Sequence, residues 1–156
     1  MDAVTQVPAP RNEPVLDYAP GSPERAALEL RLTELAETPF ELPMTIGGRE
    51  RMGAGAEFEV VQPHRHAAVL GRTNDATARD VQDAIDSALR AAPAWRALSF
   101  DERAAVFLKA ADLLAGPWRQ TLNAATVLGQ SKSAQQAEID SACELIDFLR
   151  SLATKG

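Results

Sequence analysis

The stretch "LGQSKSAQQAEIDSACELIDFLRSLATKG", residues 128–156, decides how the chain is read. Ser133 and Gln136 have the spacing of a capping box, in which each side chain satisfies a backbone N–H at the start of a helix. Ile139, Ala142, Cys143, Ile146 and Leu149 then recur at intervals of three and four, so one face of the predicted helix is apolar. Such a face needs a partner.

Upstream segments supply helices of the same kind. Ser99 and Glu102 form a second capping box, and the inner face that follows is Ala104, Phe107, Leu108, Ala111 and Leu114, stopped by Gly116 and Pro117. Thr77 and Asp80 form a third, before the stripe Val81, Ala84, Ile85, Ala88 and Leu89, with Pro93 as the expected end. A weaker helix is predicted from Trp118 to Leu128. Earlier still, Ser22 caps a helix with Pro23 at its first position and Leu28, Leu32 and Leu35 on one face, closed off by Pro39 and Pro43. Between Met44 and Leu70 the pattern changes to short strands, "MTIGG", "EFEVVQP" and "AAVLG", with "GGRERMGAG" as a hairpin loop. The expected class is α+β, mostly helical with a small antiparallel sheet.

Length and composition permit one domain with its own core. The chain has 156 residues, 46% of them hydrophobic, and a formal net charge of −6. Scattered acidic residues do not suit a phosphate-binding surface, so nucleic acid is excluded as the main partner. No segment approaches the roughly 20 apolar residues of a membrane span, and no membrane partner is expected. A single cysteine and an amino terminus without a targeting pattern make the cytoplasm the expected location. Residues 1–21, with Pro8, Pro10, Pro14 and Pro20 and no periodicity, read as an extended arm, either lying on a surface or loose in solvent.

The candidates for chemistry are few. Cys143, the one thiol, falls on an apolar stripe beside Asp140, Glu144 and Asp147; burial and negative neighbours both raise a thiol pKa, the opposite of activation. His64 and His66 could share a face in an extended strand, yet nothing completes a ligand set, so no metal is expected. The glycines of "GGRERMGAG" lead into a strand, and "GQSKS" lacks the upstream glycine of a phosphate loop. From the residues alone the chain is a mostly helical domain with a small sheet and no assigned activity.

Three blocks resemble one family. "NEPVLDYAPGSPERAAL" (12–28), "ERAAVFLKAADLLAGPWR" (102–119) and "GQSKSAQQAEIDSACELIDF" (129–148) are similar to the amino-terminal part of L-glutamate γ-semialdehyde (pyrroline-5-carboxylate) dehydrogenases. The strand region and the helix after it resemble the wider aldehyde dehydrogenase superfamily. The resemblance implies a fragment of that α/β fold: an arm at 1–21, the amino-terminal part of the cofactor domain at 22–150, and an atypical tail at 151–156. It implies NAD⁺-dependent oxidation of a small aldehyde to glutamate in proline degradation by a homo-oligomer, through a thiolate nucleophile, an oxyanion-holding amide and a glutamate base. These groups, and the strands that touch NAD, lie in the family beyond this stretch. The chain is therefore expected to be a truncated member, inactive alone and without bound cofactor, with no catalytic, cofactor-binding or metal residue of its own. A non-enzymatic interaction module is the alternative. Glu138 alone carries over, as a substrate-binding residue on a helix beside the aldehyde entry tunnel; the competing expectation is an exposed carboxylate favoured by the helix dipole.

Overall fold

A computed structural model describes residues 6–154. In chain order the elements are α1 (Pro23–Glu37), β1 (Phe40–Glu41), β2 (Met44–Ile46), β3 (Arg49–Arg51), β4 (Glu57–Gln62), β5 (Arg65–Asn74), α2 (Ala78–Ala97), α3 (Phe100–Ala115), α4 (Arg119–Gln130) and α5 (Ala134–Ala137). A π-helical segment, Glu138–Cys143, then leads into α6 (Glu144–Leu152). The class is as expected, helical with little sheet.

All three expected capping boxes form. Thr77, Ser99 and Ser133 each accept from the backbone three residues on, and Asp80, Glu102 and Gln136 each reach back to the cap. Ser22 caps α1 with Pro23 at its first position. The leucine stripe of α1 packs as its spacing requires: Leu28 is buried with Tyr18 and Ala124 of α4, and Leu32 and Leu35 lie against them. A second cluster joins Ala111 of α3 to Ala142 and Ile146, flanked by Leu114, Ala115 and Leu149. Complete burial of a side chain such as Ile146 contributes about 1.5–3 kcal/mol.

The strands differ from the expectation in three ways. The described residues form two sheets, β2–β3 and β1–β5–β4, rather than one. "GGRERMGAG" is not all loop: Gly47 and Gly48, with φ of +60° and +75°, make a two-residue turn, and Arg49–Arg51 pairs back on Met44–Ile46. β1 joins β5 in parallel, Phe40 opposite Gly71, and a Cβ at Gly71 would lie 2.4 Å from the Phe40 carbonyl oxygen, so glycine permits the approach. The carboxylate of Asp80 fastens the hairpin to α2, 2.9 Å from Arg51 and 3.2 Å from the Ala54 amide.

Two helix ends also differ. Pro93 does not end α2, which continues to Ala97; only the N–H of Pro93 is lost to the helix, and Leu89, whose carbonyl would have received it, is exposed and can turn that oxygen to water. α4 runs through Gly129 to Gln130, with Ser131 in the left-handed conformation beyond it. α6 continues past Arg150 to Leu152, and Ala153 is buried. Residues 1–5 of the arm and 155–156 of the tail lie outside the described residues.

The expected stripe of α2 is uncovered among the described residues. Val81, Ile85 and Leu89 are 52%, 47% and 66% exposed, and Leu145, Phe148 and Leu152 of α6 are also open. At the α2–α3 corner Trp95 meets Phe107 edge to face, with centroids 6.2 Å apart, and the two line an apolar groove with Phe100 and Leu152. Contiguous open apolar surface favours association. The purified chain is expected to bind a hydrophobic dye and to self-associate on size-exclusion chromatography, and Val81→Gln with Leu89→Gln to diminish both. A monomer without dye binding would show that these faces are satisfied within the chain.

Candidate functional site

A buried cluster of ionisable groups forms where the arm crosses α4 and the π-helical segment. Regular helix from Ile146 backwards would turn Ile139 inward. Instead Glu144 donates its N–H to the Ile139 carbonyl, five residues back, and the widened turn brings Glu138 into that place. Ile139 is consequently 44% exposed and Glu138 is 0% exposed. The expected stripe therefore holds at Ala142, Cys143, Ile146 and Leu149 and fails at Ile139.

Glu138 is neither an exposed helix carboxylate nor open to a ligand. One carboxylate oxygen accepts from the Leu16 amide at 2.8 Å and from Arg119; the other accepts from the Tyr18 hydroxyl at 2.8 Å, from Asn123 at 2.7 Å and from Arg119 Nε at 3.3 Å. Arg119, itself 6% exposed, also pairs with Glu13 and donates to the Pro14 carbonyl at 2.7 Å. Glu13 in turn accepts from Arg150 at 2.7 Å. Asn123 donates to the Tyr18 oxygen as well, and its own Oδ1 is buried without a partner among the described residues.

The electrostatics follow from these contacts. Burial by itself would raise the Glu138 carboxyl, but donors from Arg119, Leu16, Tyr18 and Asn123 outweigh it and hold the pKa at about 2. Burial tends to lower Arg119, and Glu138 and Glu13 together raise it instead. Tyr18 is pushed up to about 12, first by burial and then by donating to Glu138. Cys143 is buried as expected and rises to about 11, from burial and then from the charge of Glu138. The acids acting on it are Glu138 and Glu13, not the Asp140, Glu144 and Asp147 of the sequence reading. Neither the saturated carboxylate nor this thiol is placed to move a proton or attack a carbonyl.

The other candidates separate. His64 sits in the turn between β4 and β5, with Nδ1 2.7 Å from Ser131 Oγ, while His66 lies exposed in β5. Among the described residues no group of three or more His, Cys, Asp or Glu is placed to hold a metal ion. In "GQSKS", Lys132 pairs with Asp140 and Ser133 caps α5. A dinucleotide does not fit the glycines present: Gly47 and Gly48 form a hairpin turn, and Cβ positions at Gly53 and Gly55 fall 2.3 and 2.7 Å from the Asp75 carbonyl oxygen, space already filled by protein. Sequence reasoning missed Glu13, Tyr18, Arg119 and Asn123. The only signal was chemical: the sole tyrosine and three acids, Asp2, Glu13 and Asp17, in an arm otherwise rich in proline.

Truncating Arg119 would leave the buried Glu138 without its main counter-charge, so Arg119→Ala is expected to cost about 3–5 kcal/mol in urea unfolding. The pH dependence has two limbs. The folded pKa of Glu138 lies below its ordinary 4.5, so its contribution is complete above that value and is lost as pH falls towards 2. Tyr18 and Cys143 have folded values above their ordinary 10.0 and 9.0, so their contributions are complete below about 9 and are lost as pH rises towards 11 and 12. A plateau in the urea midpoint between about pH 5 and 9 is expected. Asp80, held at about 2 by hydrogen bonds from Thr77, contributes to the same acid limb, so Glu138→Gln should shrink that limb without abolishing it, and an unchanged limb would place the titrating group elsewhere.

The chain as a whole is similar to known proteins. Residues 51–156 match the aldehyde dehydrogenase family. The chain is 45% identical over 149 residues to the delta-1-pyrroline-5-carboxylate dehydrogenase of Agaricus bisporus, covering 95% of this chain and 27% of that protein. It is 40% identical over 139 residues to the mitochondrial enzyme of that name from Homo sapiens, covering 89% and 24%. The crystal structure of the Mycobacterium tuberculosis delta-pyrroline-5-carboxylate dehydrogenase bound with NAD matches at 62% identity with a TM-score of 0.93, over 98% of this chain and 29% of that one. The chain thus spans about a quarter of the length of the relatives it matches. By its sequence and by its fold, it belongs to the aldehyde dehydrogenase family.

Proposed function

We propose that the polypeptide to which these residues belong oxidises L-glutamate γ-semialdehyde to glutamate with NAD⁺ as the hydride acceptor. The observation that carries this reading is the 62% identity, sustained over 98% of the chain, to a delta-pyrroline-5-carboxylate dehydrogenase crystallised with NAD. NAD supplies the hydride sink in such chemistry. No residue described here is assigned to it, because the glycines fit no nucleotide.

The contribution of this stretch is structural. Cys143 is not the nucleophile: its sulfur lies 3.8 Å beneath the Pro14 carbonyl oxygen, and its pKa is pushed up to about 11. Glu138 serves the reaction by anchoring the arm rather than by touching the amino-acid end of the substrate, since its oxygens are committed to internal donors. The 156-residue chain alone is accordingly inactive. The open faces of α2 and α6 also suit a non-enzymatic role, in which the chain associates with itself or with full-length subunits.

Two assays test this. The purified chain should form no NADH from glutamate semialdehyde above a blank, and turnover surviving repurification would refute the structural role. Exchanged for the matching stretch of the mycobacterial relative, it should restore semialdehyde-dependent NADH formation, with Cys143→Ala within about twofold of the parent because a buried thiol takes no part in the chemistry. In that chimera Glu138→Gln should slow glutamate semialdehyde and a simple aliphatic aldehyde by the same factor. A selective loss on the semialdehyde would show instead that Glu138 meets the substrate.

A further inference from the structure

We infer that residues 8–14 are a detachable strap, latched to the helical body by the carboxylate of Glu13, and that the strap controls access to the thiol of Cys143. The attachments of this segment are almost entirely polar and converge on one residue. Glu13 pairs through one oxygen with Arg119 of α4 and through the other, at 2.7 Å, with Arg150 of α6. Its own amide donates to Asp147 of α6 at 2.6 Å. The same two arginines hold the neighbouring carbonyls, Arg150 that of Arg11 at 3.3 Å and Arg119 that of Pro14 at 2.7 Å. A single carboxylate therefore joins the strap to two helices.

Little else retains it. Residues 7–14 belong to no helix or strand, and Pro8, Pro10 and Pro14 have no N–H to donate. Between the strap and Leu108 and Asp112 of α3 there is a cleft rather than close packing. Past Val15, which is 52% exposed, the character changes: Tyr18 is buried against Leu28 and Ala124, and Leu16 and Tyr18 are both tied to Glu138. Opening should therefore hinge at Val15, with the portion before it leaving and the portion after it staying.

What the strap covers is Cys143. The sulfur is 3.8 Å from the Pro14 carbonyl oxygen, 3.5 Å from Arg119 and 3.6 Å from Glu138, and the residue is 5% exposed. Lifting residues 8–14 removes the Pro14 contact and leaves Arg119 paired with Glu138, so the thiol opens on one side while the buried ion pair remains.

The test uses the full chain and its only cysteine, with a maleimide as probe and trypsin cleavage after Arg11 as an independent readout. Glu13→Gln keeps the side-chain length and removes the charge from both pairs. It is expected to raise the rates of Cys143 labelling and of cleavage after Arg11 by about tenfold or more, since hydrogen bonds to charged groups are among the stronger ones. Labelling should also be independent of urea at low concentrations, the mark of local opening. Arg150→Gln, which removes one pair, should give a smaller rise in both rates. Labelling and cleavage of Glu13→Gln at the parent's rate, labelling that follows global unfolding at every urea concentration, or a Glu13→Gln chain that does not fold would each overturn the inference. None of these readouts depends on the reaction proposed above.

Discussion

The ion pair between Glu138 and Arg119 is the constraint around which this end of the structure is arranged. A carboxylate at zero exposure is tolerable only if its charge is balanced and its oxygens are occupied. That requirement brings together four parts of the chain: the arm through Leu16 and Tyr18, α4 through Arg119 and Asn123, the π-helical turn through Glu138, and α6 through Arg150 and the bridging Glu13. The apolar clusters to either side are small and rich in alanine. Polar contacts, more than hydrophobic area, therefore position the arm.

The helices were legible because their signals are local. A capping box needs only two side chains three residues apart, and Thr77 with Asp80, Ser99 with Glu102 and Ser133 with Gln136 each satisfy it without help from the rest of the fold. The α1 leucines likewise predicted their own burial. In α2 the same logic identified the stripe but not its surroundings: Val81, Ile85 and Leu89 are periodic and open. Periodicity tells which side of a helix is apolar, and whether anything covers that side is a tertiary fact.

The sheets and the buried cluster were less legible, for a related reason. Two residues, Phe40 and Glu41, are too short a run to register as a strand, and their parallel pairing to β5 depends on Gly71, some thirty positions away. Arg49–Arg51, all polar and exposed, has no alternation to mark it, and only the glycine pair before it hints at a turn. Glu13, Tyr18, Arg119 and Asn123 come together across separations of more than a hundred residues, and no spacing rule reaches that far. The resemblance to the glutamate-semialdehyde branch identified the family, yet Glu138 could be understood only once its partners were in place.

The π-helical turn bears on how such chains are aligned. Eight residues separate Glu138 from Ile146, and both are fully buried on one face. A relative one residue shorter here could present the same carboxylate from an uninterrupted α-helix, since seven residues make nearly two turns. A gapless comparison of the two would set Ile139, which is exposed, against the relative's buried glutamate and would score the match as a lost acid. In the segment Glu138–Cys143, correspondence is therefore better judged by which side chain faces Arg119 than by counting along the helix.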